Sequence, residues 1–204
     1  MKDKSKEEEK KEECQYFIDS LFGTLEDLDF YNQKQYTQQR IREEMMDRVL
    51  TEISYSVFGE DGHQGEIEIE RINCHHNFTQ IENHFNENVW VTRKGAIKAG
   101  LGDRAMIPGS MGTRSYIVQG RGNKMAFNSA PHGAGRRMSR KKAKEKFTME
   151  DLDKAMTGIE YRKSDVLIDE IPGAYKDIDV VMENARDLVE VKFILKQFLN
   201  CKGD

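Results

Sequence analysis

Residues 41–73 read IREEMMDRVLTEISYSVFGEDGHQGEIEIERIN, and within them the spacing of apolar residues changes from one regular structure to another. Ile41, Met45, Val49, Ile53 and Val57 recur at every fourth position, with Met46 and Leu50 beside them. This is the stripe of an amphipathic helix, in which positions i and i+4 return to one face. Arg40, Arg42, Glu43, Glu44, Asp47 and Arg48 fill the other side. The pattern predicts one long helix from about Phe30 to Phe58, stopped at Gly59 because glycine takes the left-handed conformation of a helix end without steric cost. The Met45-Met46 pair reads as core packing rather than a ligand site. Beyond the turn at Gly59–Gly65 the period drops to two. Glu66, Glu68 and Glu70 alternate with Ile67 and Ile69, which predicts a half-buried strand running to about Asn73. A helix joined in this way to a strand points to a mixed α+β domain.

Outward from this stretch the same reading continues. Residues 15–28 (QYFIDSLFGTLEDL) suggest a short helix broken near Gly23, and residues 1–14 a charged, disordered tail. Asn88–Thr92 and Arg114–Val118 read as further strands, separated by glycine turns at Gly95, Gly100, Gly102, Gly109 and Gly112. Ser139–Phe147 is a basic helix, and Thr148 with Asp151 fits a capping box that opens another. Pro172 and Gly173 break the chain before an acidic helix at about Tyr175–Arg186. Leu188–Leu199 favours strand, since β-branched residues and phenylalanines suit a pleated surface. The fold class expected is α+β, with mixed β-sheets and peripheral helices.

Composition narrows the function classes. The chain has 204 residues, enough for a real hydrophobic core, and its 37% hydrophobic against 33% charged residues is polar without losing the long apolar-periodic segments that argue against disorder. No segment approaches the roughly 18 apolar residues of a membrane span, and the N-terminus is too charged for a signal peptide. Cys14, Cys74 and Cys201 are few and far apart, which suits a reducing cytoplasm rather than a disulfide scaffold. The net charge of -4 conceals segregation: nine basic residues and one acid lie between Arg121 and Lys146, whereas thirteen acids and eight bases follow from Glu150 onward. A basic block interleaved with glycines is suited to phosphate.

Three clusters can carry chemistry. Cys74-His75-His76-Asn77 lies at the end of the predicted strand; adjacent strand residues face opposite ways, so at most one of the two histidines faces a pocket. Zinc-finger spacing is absent, as there is no Cys-x-x-Cys. Ile107 to Ser115 (IPGSMGTRS) is a glycine-serine loop leading into a strand, either a tight turn or a concave nest of N–H groups for an anion. Ser129 to Arg140 (SAPHGAGRRMSR) combines a histidine, glycines that let backbone approach a ligand, and arginines that pair with phosphate oxygens, ahead of a helix start. A histidine against a phosphate can act as general acid or as a nucleophile forming a phosphoramidate; a glycine hinge with a surface histidine is the competing reading.

From about residue 29 onward the chain resembles the C-terminal half of the RtcB family. MMDRVL (45–50), CHHNF (74–78), NVWVTRKGAI (88–97), IPGSMGTRSYIV (107–118), HGAGRRMSR (132–140), IDEIP and AYKDID (168–179) and the closing Cys201-Lys202-Gly203 carry the resemblance, in family order. It implies an RNA ligase dependent on GTP and Mn2+ that joins RNA 3′-phosphate or 2′,3′-cyclic phosphate ends to 5′-hydroxyl ends through a histidine–GMP intermediate. On this resemblance His132 is the catalytic nucleophile, and Gly133, Ala134 and Gly135 lie along the guanylate. His76 is a manganese ligand, with Asn77 a guanylate contact beside it. Pro108, Gly109, Ser110, Met111 and Ser115 belong to the nucleotide-contacting loop, Tyr175 stacks on the base, and Lys202 binds the guanine. His75 receives no role.

The resemblance also has gaps. Family members are about twice as long, and the other half carries an aspartate, a cysteine and two histidines that complete the metal site; no GCG-type or GNHF-type motif stands here to supply them. Asn86 replaces a usual glycine, Pro131 stands where a small residue or cysteine is common, and Asp204 extends the usual end. Residues 15–204 are therefore expected to form the C-terminal portion of an RtcB-like ligase domain lacking its N-terminal half. Such a portion is expected to ligate only with a separately encoded N-terminal half or as part of a longer gene, and to expose apolar surface when alone. The alternative is a non-catalytic nucleotide- or RNA-binding remnant.

Overall fold

The computed structural model describes residues 25–59 and 68–200, with side chains from residue 39 onward. The expected tail at residues 1–14, the part of the short helix at residues 15–24, the turn at 60–65 and the closing residues 201–204 lie outside the described residues. The chain divides into two compact units, Met1–Arg71 and Ile72–Asp204. No described helix is long and apolar enough to cross a membrane.

The first unit is the long helix α1 (Leu25–Phe58), followed by Gly59 in the left-handed conformation at φ 75°. Thirty-four residues without glycine or proline, rich in Glu, Gln, Arg and Met, favour helix throughout, and i,i+4 pairs such as Arg48–Glu44 at 2.9 Å line its polar side. The Met45-Met46 reading needs correction. Met45 is 60% exposed, and Ile41, Val49, Ile53 and Val57 are exposed with it, so the stripe forms but faces outward. The predicted strand at 66–73 is also corrected. Residues 68–75 are irregular, Ile69 is wholly exposed, and Arg71 donates to Asp47 (2.6 Å) and Glu68 (2.7 Å). Alternation marks a strand only where a neighbour completes the hydrogen-bond ladder, and no described strand pairs with this run.

The second unit supplies the α+β fold. It runs β1 (Asn77–His84), β2 (Glu87–Lys94), β3 (Ala96–Lys98), β4 (Arg104–Pro108), β5 (Ser115–Gly120), β6 (Ser129–Pro131), α2 (Arg140–Lys146), α3 (Met149–Ala155), β7 (Glu160–Tyr161), α4 (Ile178–Asn184), β8 (Val189–Leu195) and β9 (Leu199–Asn200). Short 3-10 turns at Lys124–Ala126, Asp165–Glu170 and Pro172–Ala174 join them. The sheets are small: an antiparallel β1–β2 hairpin, an antiparallel β3–β6 pair, a three-stranded antiparallel β4–β5–β8 sheet, and a parallel β7–β9 pair.

The predicted strands at 88–92, 114–118 and 188–199 fall on β2, β5 and β8, and the basic helix on α2 with Ser139 as its cap. The Thr148–Asp151 capping box is formed in both directions. The acidic helix is shorter than expected. Asp177 caps α4 by accepting from Asp179 N, which leaves Tyr175 outside the helix.

Two cores hold this unit. Ile97 and Ala130 of the β3–β6 pair, Ile107, Tyr116 and Val118 of the large sheet, and Ile178 and Met182 of α4 form one. Met111, Ala143, Leu152, Met156, Leu167 and Ile171 form the other, around α2 and α3. The β1–β2 hairpin instead buries polar groups. Glu82 accepts from Arg93 through both guanidinium nitrogens and from His84 Nε2 at 2.8 Å, and all three side chains are almost inaccessible. Burial pushes the Glu82 carboxyl up, but hydrogen bonds from Arg93, His84 and Gln80 outweigh it and hold the group at about 2.

Two outcomes follow from this hairpin. Its loop residues Phe85 and Asn86 both have positive φ, 55° and 69°, the arrangement of a two-residue type I′ turn. Asn86→Val should destabilise the chain by about 1–2 kcal/mol in urea melts, because a β-branched residue fits the left-handed region poorly, while Asn86→Gly should cost nothing measurable. Because the folded pKa of Glu82 lies below its ordinary value of 4.5, its contribution is complete above that pH and is lost as the pH falls towards 2. Glu82→Gln should lower stability at pH 7 and flatten this acid loss, as read from urea midpoints across the range.

Candidate functional site around His132

The turn between β2 and β3 makes the site. β3 pairs with β6 so that Ala96 faces Pro131, and the next residue on each side, Gly95 and His132, meet at the open end of the ladder. His132 N lies 3.4 Å from the Gly95 carbonyl, and His132 Nδ1 lies 2.6 Å from the same oxygen. A carbonyl only accepts, so Nδ1 carries the proton and the neutral ring keeps its lone pair on Nε2. Gly95 N in turn donates to the His76 carbonyl (2.8 Å) and to Asn77 Oδ1 (3.2 Å). The His76 ring stacks on the His132 ring, 5.0 Å between centroids and 12° from parallel. His76, Asn77 and His132 are thus gathered around one glycine, which sequence reading placed only as a turn. Gly95 has φ 70°, and a Cβ there would sit 3.4 Å from His132 Cε1.

The His75 ring lies against Phe78 in a T-shaped contact, 5.9 Å between centroids, and half-buried Cys74 directs its thiol to the Met106 carbonyl. The histidines therefore separate as expected, although the segment leads into β1 rather than ending a strand.

After His132 the glycine segment docks on the Pro108 loop. Ala134 N donates to the Pro108 carbonyl at 3.0 Å, and a Cβ on Gly133 would lie 3.0 Å from that same oxygen, so a side chain there would push the loops apart. Gly109 N bonds the Arg114 carbonyl, and Ser110 N donates to Thr113 Oγ1 at 2.6 Å. The loop is a closed turn, with its N–H groups at these positions already satisfied. Met111 faces the second core, and buried Ser115 lies 3.4 Å from Gln197 Nε2. A groove of about 430 Å³ opens beside Pro131, lined by Lys176, Asp177, Val180, Val181 and Asn184.

Tyr175 reaches the far end of the glycine segment. It bridges Arg136, Lys176 N donates to the Gly135 carbonyl at 2.9 Å, and the Arg136 guanidinium lies over the tyrosine ring at 4.9 Å. Its hydroxyl donates to Glu170 at 2.6 Å. Burial, then Glu170, raise the Tyr175 pKa against a smaller opposing pull from Arg136. Lys202 lies outside the described residues.

The basic block is not a bare cationic surface. Arg136, Arg140 and Lys144 converge on Asp169 and Glu170 from the 3-10 turn, at 3.4–3.7 Å, and Arg136 Nη2 also donates to the Asp169 carbonyl at 2.6 Å. Cations that stand alone in sequence are partly neutralised because the following acidic segment folds back on them. Arg137, Lys141 and Lys142 stay exposed. Among the described residues, no group of three or more His, Cys, Asp or Glu is arranged to hold a metal ion.

Fold and site define an α+β domain built around an imidazole whose tautomer is fixed by a backbone carbonyl and which is flanked by a glycine-rich loop. A family model described as "tRNA-splicing ligase RtcB" matches residues 29–203. The RNA-splicing ligase RtcB of Escherichia coli (strain K12) is 50% identical over 163 residues, covering 79% of this chain and 40% of the relative. The tRNA-splicing ligase RtcB of Pyrobaculum aerophilum is 34% identical over 147 residues, covering 60% and 30%. The RNA-splicing ligase RtcB homolog 1 of Entamoeba dispar is 36% identical over 153 residues, covering 63% and 29%. The chain belongs to the RtcB family, and it spans about two fifths of the length of the Escherichia coli relative.

Gly95→Ala tests the junction. The strained φ should cost about 1–2 kcal/mol, and the added Cβ would rest in van der Waals contact with the His132 ring at 3.4 Å. The check is the chemical shift of the His132 ring protons, which should move more than those of His84 in the same spectrum.

Proposed function

We propose that this chain carries the guanylate-transfer part of a GTP-dependent RNA ligase joining 3′-phosphate or 2′,3′-cyclic phosphate ends to 5′-hydroxyl ends. The observation that carries this reading is the His132 Nδ1 bond to the Gly95 carbonyl, which leaves the lone pair on Nε2. In the first step Nε2 attacks the α-phosphate of GTP; an N–P bond forms, the bond to the β-phosphate oxygen breaks, and pyrophosphate leaves. The ring becomes cationic on phosphorylation, and the Gly95 carbonyl, already accepting the Nδ1 proton, stabilises that charge. Where the RNA end is a 2′,3′-cyclic phosphate, water first opens it at the 2′-oxygen; an RNA 3′-phosphate oxygen then attacks the same phosphorus, the N–P bond breaks, and neutral His132 is regenerated. Finally the 5′-hydroxyl attacks the activated RNA phosphate, forming the phosphodiester and expelling GMP.

Other residues supply position. Gly133, Ala134 and Gly135 bring backbone along the guanylate, with Pro108, Gly109 and Ser110 behind them. Met111 and Ser115 support this loop from its buried side. Asn77, whose Oδ1 is held by Gly95 N, has its amide N–H groups to offer. Tyr175 has one face covered by Arg136 and stacks on the base with the other, while Lys202 binds the guanine. Exposed Arg137, Lys141 and Lys142 hold RNA phosphates. An intracellular, cytoplasmic RNA is the substrate this chemistry suits.

Manganese is the metal the resemblance implies, and when bound it would neutralise phosphate charge. His76 is this chain's ligand for it, but one imidazole does not make a coordination shell, so the described residues do not form the complete site. The remaining ligands, on this reading, come with the portion of the family's length that this chain does not span, either on the same polypeptide or separately encoded.

Radiolabelled GTP with Mn2+ tests the reading. The chain alone should take no covalent label. Mixed with the N-terminal three fifths of the Escherichia coli relative (whose length this chain spans to 40%), it should become labelled, and His132→Ala should abolish the signal. Label on the chain alone would overturn the incomplete site; no label in the mixture would favour a non-catalytic binding remnant.

A further inference from the structure

Arg93 lies two residues before Gly95 and is 2% exposed. Its guanidinium is anchored on one side by Glu82, which it meets through both terminal nitrogens. On the other side Nε donates to Ser129 Oγ at 2.9 Å, and Nη2 donates to the Phe127 carbonyl at 2.8 Å. Phe127 and Asn128 are consecutive non-glycine residues in the left-handed region, with φ 50° and 49°. Such a pair is unfavourable by itself. It persists because the turn is held from outside, by the Arg93 fork and by the rings of His84 and Phe85 packed on Phe127 at 5.0 and 5.7 Å. The strained turn leads directly into β6, whose register against β3 decides which residue meets Gly95.

We propose that Arg93 is a positioning residue: fixed by Glu82, its guanidinium clamps the left-handed Phe127–Asn128 turn and Ser129, and thereby sets the β6 register that places His132 Nδ1 on the Gly95 carbonyl. A one-residue slip would reverse the side to which every β6 side chain points. Lysine cannot replace the fork, since a single ammonium cannot reach Glu82, Ser129 and the Phe127 carbonyl together. The same clamp joins both strands at the site, because Arg93 sits on β2 while Phe127 leads into β6 and Ser129 opens it. Its importance for catalysis rests on the reading of His132 as the nucleophile, but the His132 tautomer does not, so the two can fail separately.

The experiment is a long-range 1H–15N correlation of the histidine rings in the full 15N-labelled chain, with His132→Gln to assign the resonance. Wild type should show the Nδ1–H tautomer at His132. Arg93→Lys should lose that signature in most of the population, and Ser129→Ala, which removes one acceptor, should lose it in part. Leu152→Ala in the other core should lower stability yet leave the tautomer unchanged. An unaltered His132 signature in folded Arg93→Lys would overturn the proposal. If that variant does not fold, an unaltered signature in Ser129→Ala overturns it instead, as does an equal change in Leu152→Ala, which would make the effect general loosening.

Discussion

The hydrogen bond from His132 Nδ1 to the Gly95 carbonyl is the constraint from which the rest of the site can be worked out. It joins residues thirty-seven apart in sequence, and it is possible only because both edges of the short β3–β6 ladder end at the same level. The N–H of that same glycine reaches the other way, to His76 and Asn77. One residue with two backbone groups therefore orients the His132 and Asn77 side chains and holds the His76 backbone. The left-handed φ explains why glycine occupies this position.

Charge is used in two different ways. In the β1–β2 hairpin, Glu82, Arg93 and His84 are buried together, an arrangement that adds little net stability over apolar packing but is strongly penalised when one partner is removed. Its value is geometric, since a guanidinium with fixed acceptors tolerates little displacement. Around Tyr175 the pairing is looser. Arg140 is largely exposed, and three cations meet two carboxylates, so the cluster keeps a positive surplus at the end of the glycine segment. A surplus held in place by acids is better suited to orienting a phosphate than a mobile cationic tail would be.

Where side-chain pattern and burial agree, the fold was legible in the sequence. β2, β5 and β8 carry β-branched or aromatic residues, α2 and α3 carry their caps, and all were placed within a few residues. β1 was not legible because its buried face holds Gln80, Glu82 and His84, so hydropathy alternation is absent where the strand is real. The converse error fell on the run expected at 66–73, where alternation is clear and, among the described residues, no strand pairs with 68–73. At the site, His132 and its glycines stood out by residue type. Gly95 did not, because a turn glycine announces a backbone conformation and not what its carbonyl will hold; its place within the NVWVTRKGAI match was the signal it carried. The folding of Asp169 and Glu170 onto the basic block likewise depends on contacts across some thirty residues, beyond any local pattern.

Apolar surface and donor set bear on the same question. On the outward face of β4–β5–β8, Met106, Ile117 and Phe193 form one row across the sheet, with Leu195 beyond it. Phe193 is 57% exposed and Met106 42%, and the α1 stripe faces outward too. A large apolar side chain gains about 1.5–3 kcal/mol on full burial, so a face of this kind represents stability not yet realised in the chain by itself. At the site His76 stacks on His132, and among the described residues no group of three or more metal-ligating side chains is gathered there. A binding remnant that had lost catalysis would not need such faces, since selection would favour polar replacements on exposed strands. On the function proposed above the two features would share one origin, further polypeptide of the family packing on these faces and bringing its ligands to His76.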